Sequence, residues 1–450
     1  MNNSFSFTDV IKKTNPINPS NVHEILSRTM LADGFDLVLD LEKSHGLTIV
    51  DKKNGDEYLD FFSFFASSPI GLNHPKLDTP EYHDEIYYAA MNKPSNSDIY
   101  TVEMANFVDT FSRVAMPENF KHLFFIDGGA LAVGNALKTA FDWKVKKNFQ
   151  KGIKEEKGMQ VIHFREAFHG RSGYTLSLTN TDPAKIDHFP KFNWPRVSNP
   201  KITFPLKENL EKIIRSEESS INEILSAINN NKDDIAALII EPVQAEGGDN
   251  FFRKEFFEKL RKITLENEIL LIFDEVQTGI GMTGKMWAFE HYVEPDIICF
   301  GKKVQICGLM TTSRIDEVKD NVFKKSSRIN STWGGNLVDM IRSKWNLQII
   351  EEDNLIENSA LQGKYLLEKL FELQSEFPNL VSQARGLGLM CSFNLPNEEV
   401  RSRFLKELYK RKLIILGCGK NAVRFRTPLI VTKDEIDRGI KIIRETLSSI

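Results

Sequence analysis

Two short, unbroken apolar runs constrain this chain most. Residues 269–273 read ILLIF and residues 297–300 read IICF. Neither is long enough for a helix, and neither alternates with polar residues. Runs of this kind suit strands buried on both faces of a parallel sheet. The first stops at Asp274 and Glu275, charges that a buried strand does not normally carry. The second stops at Gly301 and Lys302. Between them lie a turn-rich passage, 279–284, and an amphipathic segment around Trp287 and Phe289. Asp274 and Lys302 are 28 residues apart. A strand–crossover–strand unit of about that length brings both side chains to one edge of the sheet. Open α/β sheets bind their ligands at that edge.

An amine and a carboxylate at neighbouring strand ends are what pyridoxal phosphate requires. Its aldehyde needs a lysine amine to form a Schiff base, and its ring nitrogen needs a carboxylate to stay protonated. A single lysine or acid at a strand end is ordinarily just solvated, so the pairing carries the reading.

The chain has 450 residues, 41% of them hydrophobic. That is enough for a large core, and it predicts two or three domains or one large α/β unit with a smaller lobe. The net charge of −4 asks for neither nucleic acid nor an anionic membrane. The basic run at 144–147 reads as a solvated helix end. Four scattered cysteines (Cys299, Cys307, Cys391, Cys418) include no C-x-x-C pair. This predicts a reducing compartment, no disulfide framework and no metal site. No stretch approaches the ~18 apolar residues of a membrane span. Residues 1–13 lack the apolar core of a signal peptide, so a cytoplasmic protein is expected.

In chain order, residues 1–20 are polar and predict a loose arm, and 21–29 a short helix. Residues 37–41, 47–51 and 58–61, with a turn at 53–55, predict a small antiparallel sheet. The aromatic passage 61–68 reads as core or interface packing ahead of substrate contact. A polar linker at 92–98 leads into the large domain. A strand at 123–126 runs into Asp127, Gly128, Gly129 and Ala130. Val133, Ala136, Leu137, Ala140 and Phe141 then mark one face of a helix. A helix start of this kind can meet an anion with free amides. Strands follow at 161–163 and 235–240, with a charged, solvated helix over 206–234. Thr432 and Glu435 predict a capping box that opens the last helix. The division predicted is 1–72 for the arm and part of a small domain, 73–340 for the large domain, and 341–450 for the rest of the small domain.

FDEVQTG, the following G-x-T-G, and PDI-x-x-x-GK together resemble the class III (ω-) aminotransferases, a family dependent on pyridoxal 5′-phosphate. The likeness runs from about Val22 to the final helix. The stretches MNKPSNSD, FIDGGALAV, FREAFHGRSGYTLSLTNT, EPVQAEGGD, FGKKVQICG and RINSTWGGN are most similar to its L-lysine 6-aminotransferase branch. The resemblance implies a doubly wound, mostly parallel sheet with helices on both faces, the aspartate-aminotransferase type of fold. A smaller α+β lobe would come from both chain ends. It implies Lys302 as the Schiff-base lysine, Asp274 on the pyridine nitrogen, Gln277 beside the 3-hydroxyl and Phe168 stacked on the ring. Gly129 and Ala130 would hold the phosphate, and Thr332 the phosphate of a partner subunit in a homodimer. Arg171 would bind the far carboxylate of both substrates and Arg424 the near carboxylate of glutamate. Glu246 would cover Arg424 when lysine is bound, and Asn330 would lie among the substrate contacts. A static Glu246–Arg424 bridge is the plainer alternative. Where the family has an acid, this chain has Gly134.

The implied reaction moves the ε-amino group of L-lysine to 2-oxoglutarate. It yields L-glutamate and 2-aminoadipate 6-semialdehyde, which cyclises. Transfer from ornithine, acetylornithine or 4-aminobutyrate is the nearest rival. A nucleotide-binding oxidoreductase would need G-x-G-x-x-G after a first strand, and neither Gly128-Gly129 nor Gly386-x-Gly388 has it. A catalytically silent binding protein is a third reading, to which the departure at Gly134 lends a little weight.

Overall fold

A computed structural model describes residues 17–450. Most of the expected N-terminal arm, and the stretch free of signal character, lie outside the described residues. In chain order the strands are β1 (Thr48–Val50), β2 (Glu57–Asp60), β3 (Phe120–Ile126), β4 (Gln160–Phe164), β5 (Arg196–Val197), β6 (Ile235–Ile240) and β7 (Leu270–Asp274). They continue with β8 (Ile297–Phe300), β9 (Cys307–Thr312), β10 (Ser382–Leu387), β11 (Met390–Asn394), β12 (Leu413–Ile414), β13 (Leu416–Cys418) and β14 (Ala422–Arg424).

Seven strands form the central sheet in the order β3-β9-β8-β7-β6-β4-β5. The run from β8 to β5 is parallel, and β9 is antiparallel to both of its neighbours. The apolar runs are unbroken because each strand feeds two cores. Leu271 and Phe273 of β7 enter one, Leu270 and Ile272 the other. Ile298 and Phe300 of β8 divide from Ile297 and Cys299 in the same way. A strand's side chains alternate between faces, so apolar residues are needed at every position when both faces are covered. On one face lies the helix Gly129–Gln150, which packs Val133, Ala136, Leu137, Ala140 and Trp143. On the other are Phe107 and Phe111 of Val102–Val114 and Phe256, Phe257 and Leu260 of Lys254–Glu266. This is the α/β architecture expected.

The crossover from β7 to β8 is no long helix. It is a series of turns wrapped around a buried acid, closing with the short 3-10 turn Ala288–His291. Glu275 accepts from the Thr278 hydroxyl (2.7 Å) and from the amides of Ala288 (2.8 Å) and Phe289 (2.7 Å). Burial pushes its carboxyl up to about 7, and these donors oppose the shift. The second charge after the strand therefore holds the loop.

Both chain ends build the remaining sheets. β12 lies parallel to β2, which pairs antiparallel with β1. β10, β11, β14 and β13 form a four-stranded sheet. The helix Leu337–Glu352 packs on Val102–Val114 and spans the division predicted at 340/341. Thr432 caps the last helix, Lys433–Leu447, through the reciprocal box with Glu435.

Two expectations fail. Residues 37–41 form no strand; only an isolated bridge, Leu39 to Asp51, remains, and the third strand of that sheet is β12, on the far side of β2. Lys144 is not on a solvated helix end. Its helix runs on to Gln150, and its ammonium is buried, donating to the carbonyl of Glu268 at 2.9 Å. Burial, with nearby cations, pushes its pKa down to about 8.

Candidate active site

β7 and β8 are hydrogen-bonded neighbours, and Asp274 at the end of one faces Cys299 near the end of the other. Lys302 opens a one-turn 3-10 helix directly after β8, with φ of +50°. A β-carbon on Gly301 would stand 2.6 Å from Cys307 Sγ, so glycine is required where the chain turns out of the strand. Lys303 is turned away: its Nζ donates to the Gln277 carbonyl at 2.7 Å. Burial, reinforced by Arg424 and Arg426, pushes the Lys302 amine down from 10.5 to about 7. A large fraction is therefore a neutral nucleophile at neutral pH.

Asp274 is buried. Its Oδ2 lies 2.8 Å from His169 Nδ1, and its Oδ1 accepts from the Val276 amide at 3.2 Å. Beside the pair sits Glu241, which accepts from the amides of Phe168 (2.9 Å) and Ala245 (3.2 Å). Burial pushes Glu241 up to about 7; His169 opposes this and the Asp274 charge adds to it. Neither His169 nor Glu241 is among the site residues expected from the sequence. The signal for His169 was its place between Phe168 and Arg171, and for Glu241 the charge ending the apolar strand β6.

The loop 168–171 is clamped onto the start of the helix Gly129–Gln150. A β-carbon on Gly170 would fall 2.6 Å from Ala130 Cβ. Gly128, with φ of +96°, caps that helix without a side chain. The first-turn amides of Gly129 and Ala130 have no acceptor within the helix, which is the arrangement that receives an anion.

The opposite wall starts at the four-stranded sheet. Arg424, 2% exposed, ends β14. Its Nη1 stands 3.0 Å from Glu246 Oε2, yet neither that nitrogen nor Nε has a directed hydrogen bond. Glu246 Oε1 accepts from Lys185 Nζ at 2.7 Å. Burial pushes the Glu246 carboxyl up, but Arg424 and Lys185 outweigh it and hold the group below the ordinary glutamate value. Behind them Arg426 is paired with Asp249 in a buried two-pronged bridge and donates to Gln277 Oε1 at 3.3 Å. Arg171 is exposed, with no ion pair among the described residues.

The aromatic passage divides. Phe61 and Phe62 are core, while Phe65 is exposed under the Arg424 guanidinium, 5.7 Å from ring centre to carbon. Ser63, Phe64, Phe65 and Ala66 all have positive φ, from 38° to 63°, a single left-handed turn. Such a turn costs about 1–2 kcal/mol per residue. It is held by Asp60 Oδ1, which accepts from the amides of Phe62 and Ser63, and by the Ser63 hydroxyl on the Arg426 carbonyl. Nothing in the residue types announced it.

Asn330 and Thr332 stand apart, on an exposed loop. That loop is tied to the 92–98 linker: Ser97 Oγ donates to the Ser331 carbonyl (2.7 Å) and Asn96 Nδ2 to the Gly335 carbonyl (2.9 Å). Neither residue bonds to the others of the site.

One edge of the central sheet thus gathers a half-buried amine of lowered pKa, a buried carboxylate and two helix amides without an acceptor in the helix, and the end of β14 sets a buried arginine with unspent donors opposite them. This donor set fits a pyridoxal ring with its phosphate and a carboxylate substrate beside it. The chain matches the family model described as aminotransferase class-III over residues 31–447. It is 50% identical over 434 residues to an L-lysine-epsilon aminotransferase of Mycobacterium tuberculosis, covering 96% of each chain. Its identity to the enzyme of that name from Streptomyces clavuligerus is 44% over 439 residues, covering 96% of this chain and 95% of the other. The 4-aminobutyrate aminotransferase of Rattus norvegicus is 31% identical over 428 residues, with 90% and 83% covered. The solved lysine aminotransferase from M. tuberculosis in the internal aldimine form superposes with a TM-score of 0.95, at 50% identity, over 96% of this chain and all of that one. The chain belongs to the class-III aminotransferases, and its cofactor is pyridoxal 5′-phosphate.

Proposed function

We propose that the protein transfers the ε-amino group of L-lysine to 2-oxoglutarate, giving L-glutamate and 2-aminoadipate 6-semialdehyde. The carrying observation is the near-complete match, at 44–50% identity, to relatives named L-lysine-epsilon aminotransferase. The two substrates call for two arginines. Lysine presents its ε-amine and keeps its carboxylate far from the reacting centre, whereas glutamate brings one carboxylate near. Arg171 takes the far carboxylate in both cases, as a planar donor suited to it. Arg424 takes the near one, and Glu246 covers Arg424 when no carboxylate is there.

Lys302 holds the cofactor, Asp274 its ring nitrogen, Gln277 its 3-hydroxyl, Phe168 its ring face, and Gly129 and Ala130 its phosphate. When bound, the cofactor supplies an electron sink for the pair left by the broken C–H bond. Asp274, fixed by His169 and the Val276 amide, keeps a negative charge at the ring nitrogen. Lys302 Nζ, poised near neutrality, takes the proton from the carbon bearing the amino group. It returns a proton to the keto carbon of the acceptor in the second half-reaction.

A homodimer is part of the proposal. Tyr87, Tyr88, Met91, Ile99, Tyr100 and Trp333 are exposed around the linker and its bound loop, an apolar surface of the kind that subunits cover. Thr332 and Asn330 then act at the partner's site. A cytoplasmic location is supported by four free cysteines and by the absence, among the described residues, of a helix long and apolar enough to cross a membrane.

The test is a donor panel with 2-oxoglutarate, scoring glutamate and the cyclised imine. Lysine should exceed ornithine and 4-aminobutyrate. A stronger response to either would overturn the reading.

A further inference from the structure

Glu246 is shared between two cations, where a simple cover for Arg424 needs one. Its Oε2 lies 3.0 Å from Arg424 Nη1 and its Oε1 2.7 Å from Lys185 Nζ. Lys185 closes the short 3-10 turn Pro183–Lys185, which Asp182 caps by accepting from the Ala184 amide at 3.0 Å. Its ammonium also stands 5.5 Å from the centre of the Phe168 ring. Lys185 and Glu246 both line a cavity of about 870 Å³, whose far side is formed by Arg385, Asn394, Gly417 and Asn421. That space lets the Glu246 carboxylate withdraw from Arg424 without leaving Lys185.

We infer that Lys185 is a positioning residue that sets the balance between the two half-reactions. The inference rests on the reading of Glu246 as a movable cover. Two effects follow from the charges. Arg424, Lys185 and Glu246 sum to +1, where Arg424 and Glu246 alone would sum to zero. A dianionic keto acid therefore meets a net positive wall before Glu246 moves. When Glu246 does move, its carboxylate keeps one cation, so uncovering Arg424 breaks one ion contact and not two. Neither effect helps a substrate arriving amine first. Lys185 thus favours the dicarboxylate pair, glutamate and 2-oxoglutarate.

The experiment is single-turnover kinetics of each half-reaction on the holoenzyme, with Lys185→Met, which keeps the stem and removes the charge, and Lys185→Arg, which keeps the charge. Lys185→Met should weaken capture of glutamate and 2-oxoglutarate about fivefold, the upper end for a partly exposed ion contact. The lysine half-reaction should change by less than about twofold, the rate of 2-oxoglutarate capture should depend less on salt, and Lys185→Arg should restore the original split. Equal effects on both halves, or none, would overturn the inference. Glu246→Gln, run in parallel, separates the two levels. If it affects both halves equally, the movable cover fails and takes the role of Lys185 with it. If it is asymmetric while Lys185→Met is not, only the role of Lys185 falls.

Discussion

Asp274→Asn removes a charge while leaving the shape of the site almost intact. Asparagine can still accept from the Val276 amide through its side-chain oxygen. Its amide nitrogen then meets His169 Nδ1, and the histidine can answer by moving its proton to Nε2, which is buried and unpartnered in the wild type. The local hydrogen bonds therefore survive, and what is lost is the negative charge that keeps the ring nitrogen protonated. Asp274 is 5% exposed, so solvent screens little of that loss. Removing one partner of a buried ion pair costs about 3–5 kcal/mol. Even the lower figure slows the lysine half-reaction by roughly 100-fold. The assay is stopped-flow absorbance under single turnover, with cofactor content measured on the same sample. Cofactor should remain bound and the rate fall. Turnover within a few-fold of wild type at full occupancy would show that Asp274 is not the acid that matters.

Further outcomes are specific. Glu246→Ala should slow the lysine half-reaction much more than the glutamate half-reaction, by about tenfold or more for a partly buried charge left uncovered. Arg424→Ala should do the reverse and Arg171→Ala should harm both; equal losses in both halves for Glu246→Ala would leave only a static bridge. Because Lys302 is held at about 7 by burial and by Arg424 and Arg426, uptake of cofactor by the apoprotein should speed up as pH rises through 7 and then level. A rate still climbing toward 10 would contradict that. Gly134 lies inside a helix where an added β-carbon meets nothing within 4 Å, so Gly134→Ala should raise stability by about 1 kcal/mol. The denaturant midpoint reads this out, and a fall would mean that the bare backbone is needed there.

The strands, their burial on two faces and the positions of Asp274 and Lys302 were legible because short-range pattern dictates them. An unbroken apolar run has one stable use in a covered sheet, and a charge at its end, when buried as Asp274 and Glu275 are, must be met by partners there. The pairing of β2 with β12 was not legible, since it joins residues at opposite ends of the chain and neither strand exceeds four residues. Lys144 looked solvated because a run of lysines normally is, and only the tertiary fold supplies the two carbonyls that hold it. The left-handed turn at 63–66 runs against the propensity of every residue in it; it exists because Asp60 and Arg426 hold it. His169 and Lys185 were missed for a related reason: each gains its role from a partner brought close by folding, and neither stands in a repeating pattern.

Nitrogen tracing decides which amino group of lysine the protein transfers. The protein would be given 2-oxoglutarate and lysine carrying ¹⁵N at either the ε or the α position, and the glutamate formed would be analysed by mass. Label should reach glutamate from ε-¹⁵N-lysine and not from α-¹⁵N-lysine. Label arriving from the α position, or unlabelled reaction mixtures that make glutamate from ornithine or 4-aminobutyrate but not from lysine, would contradict transfer of the ε-amino group.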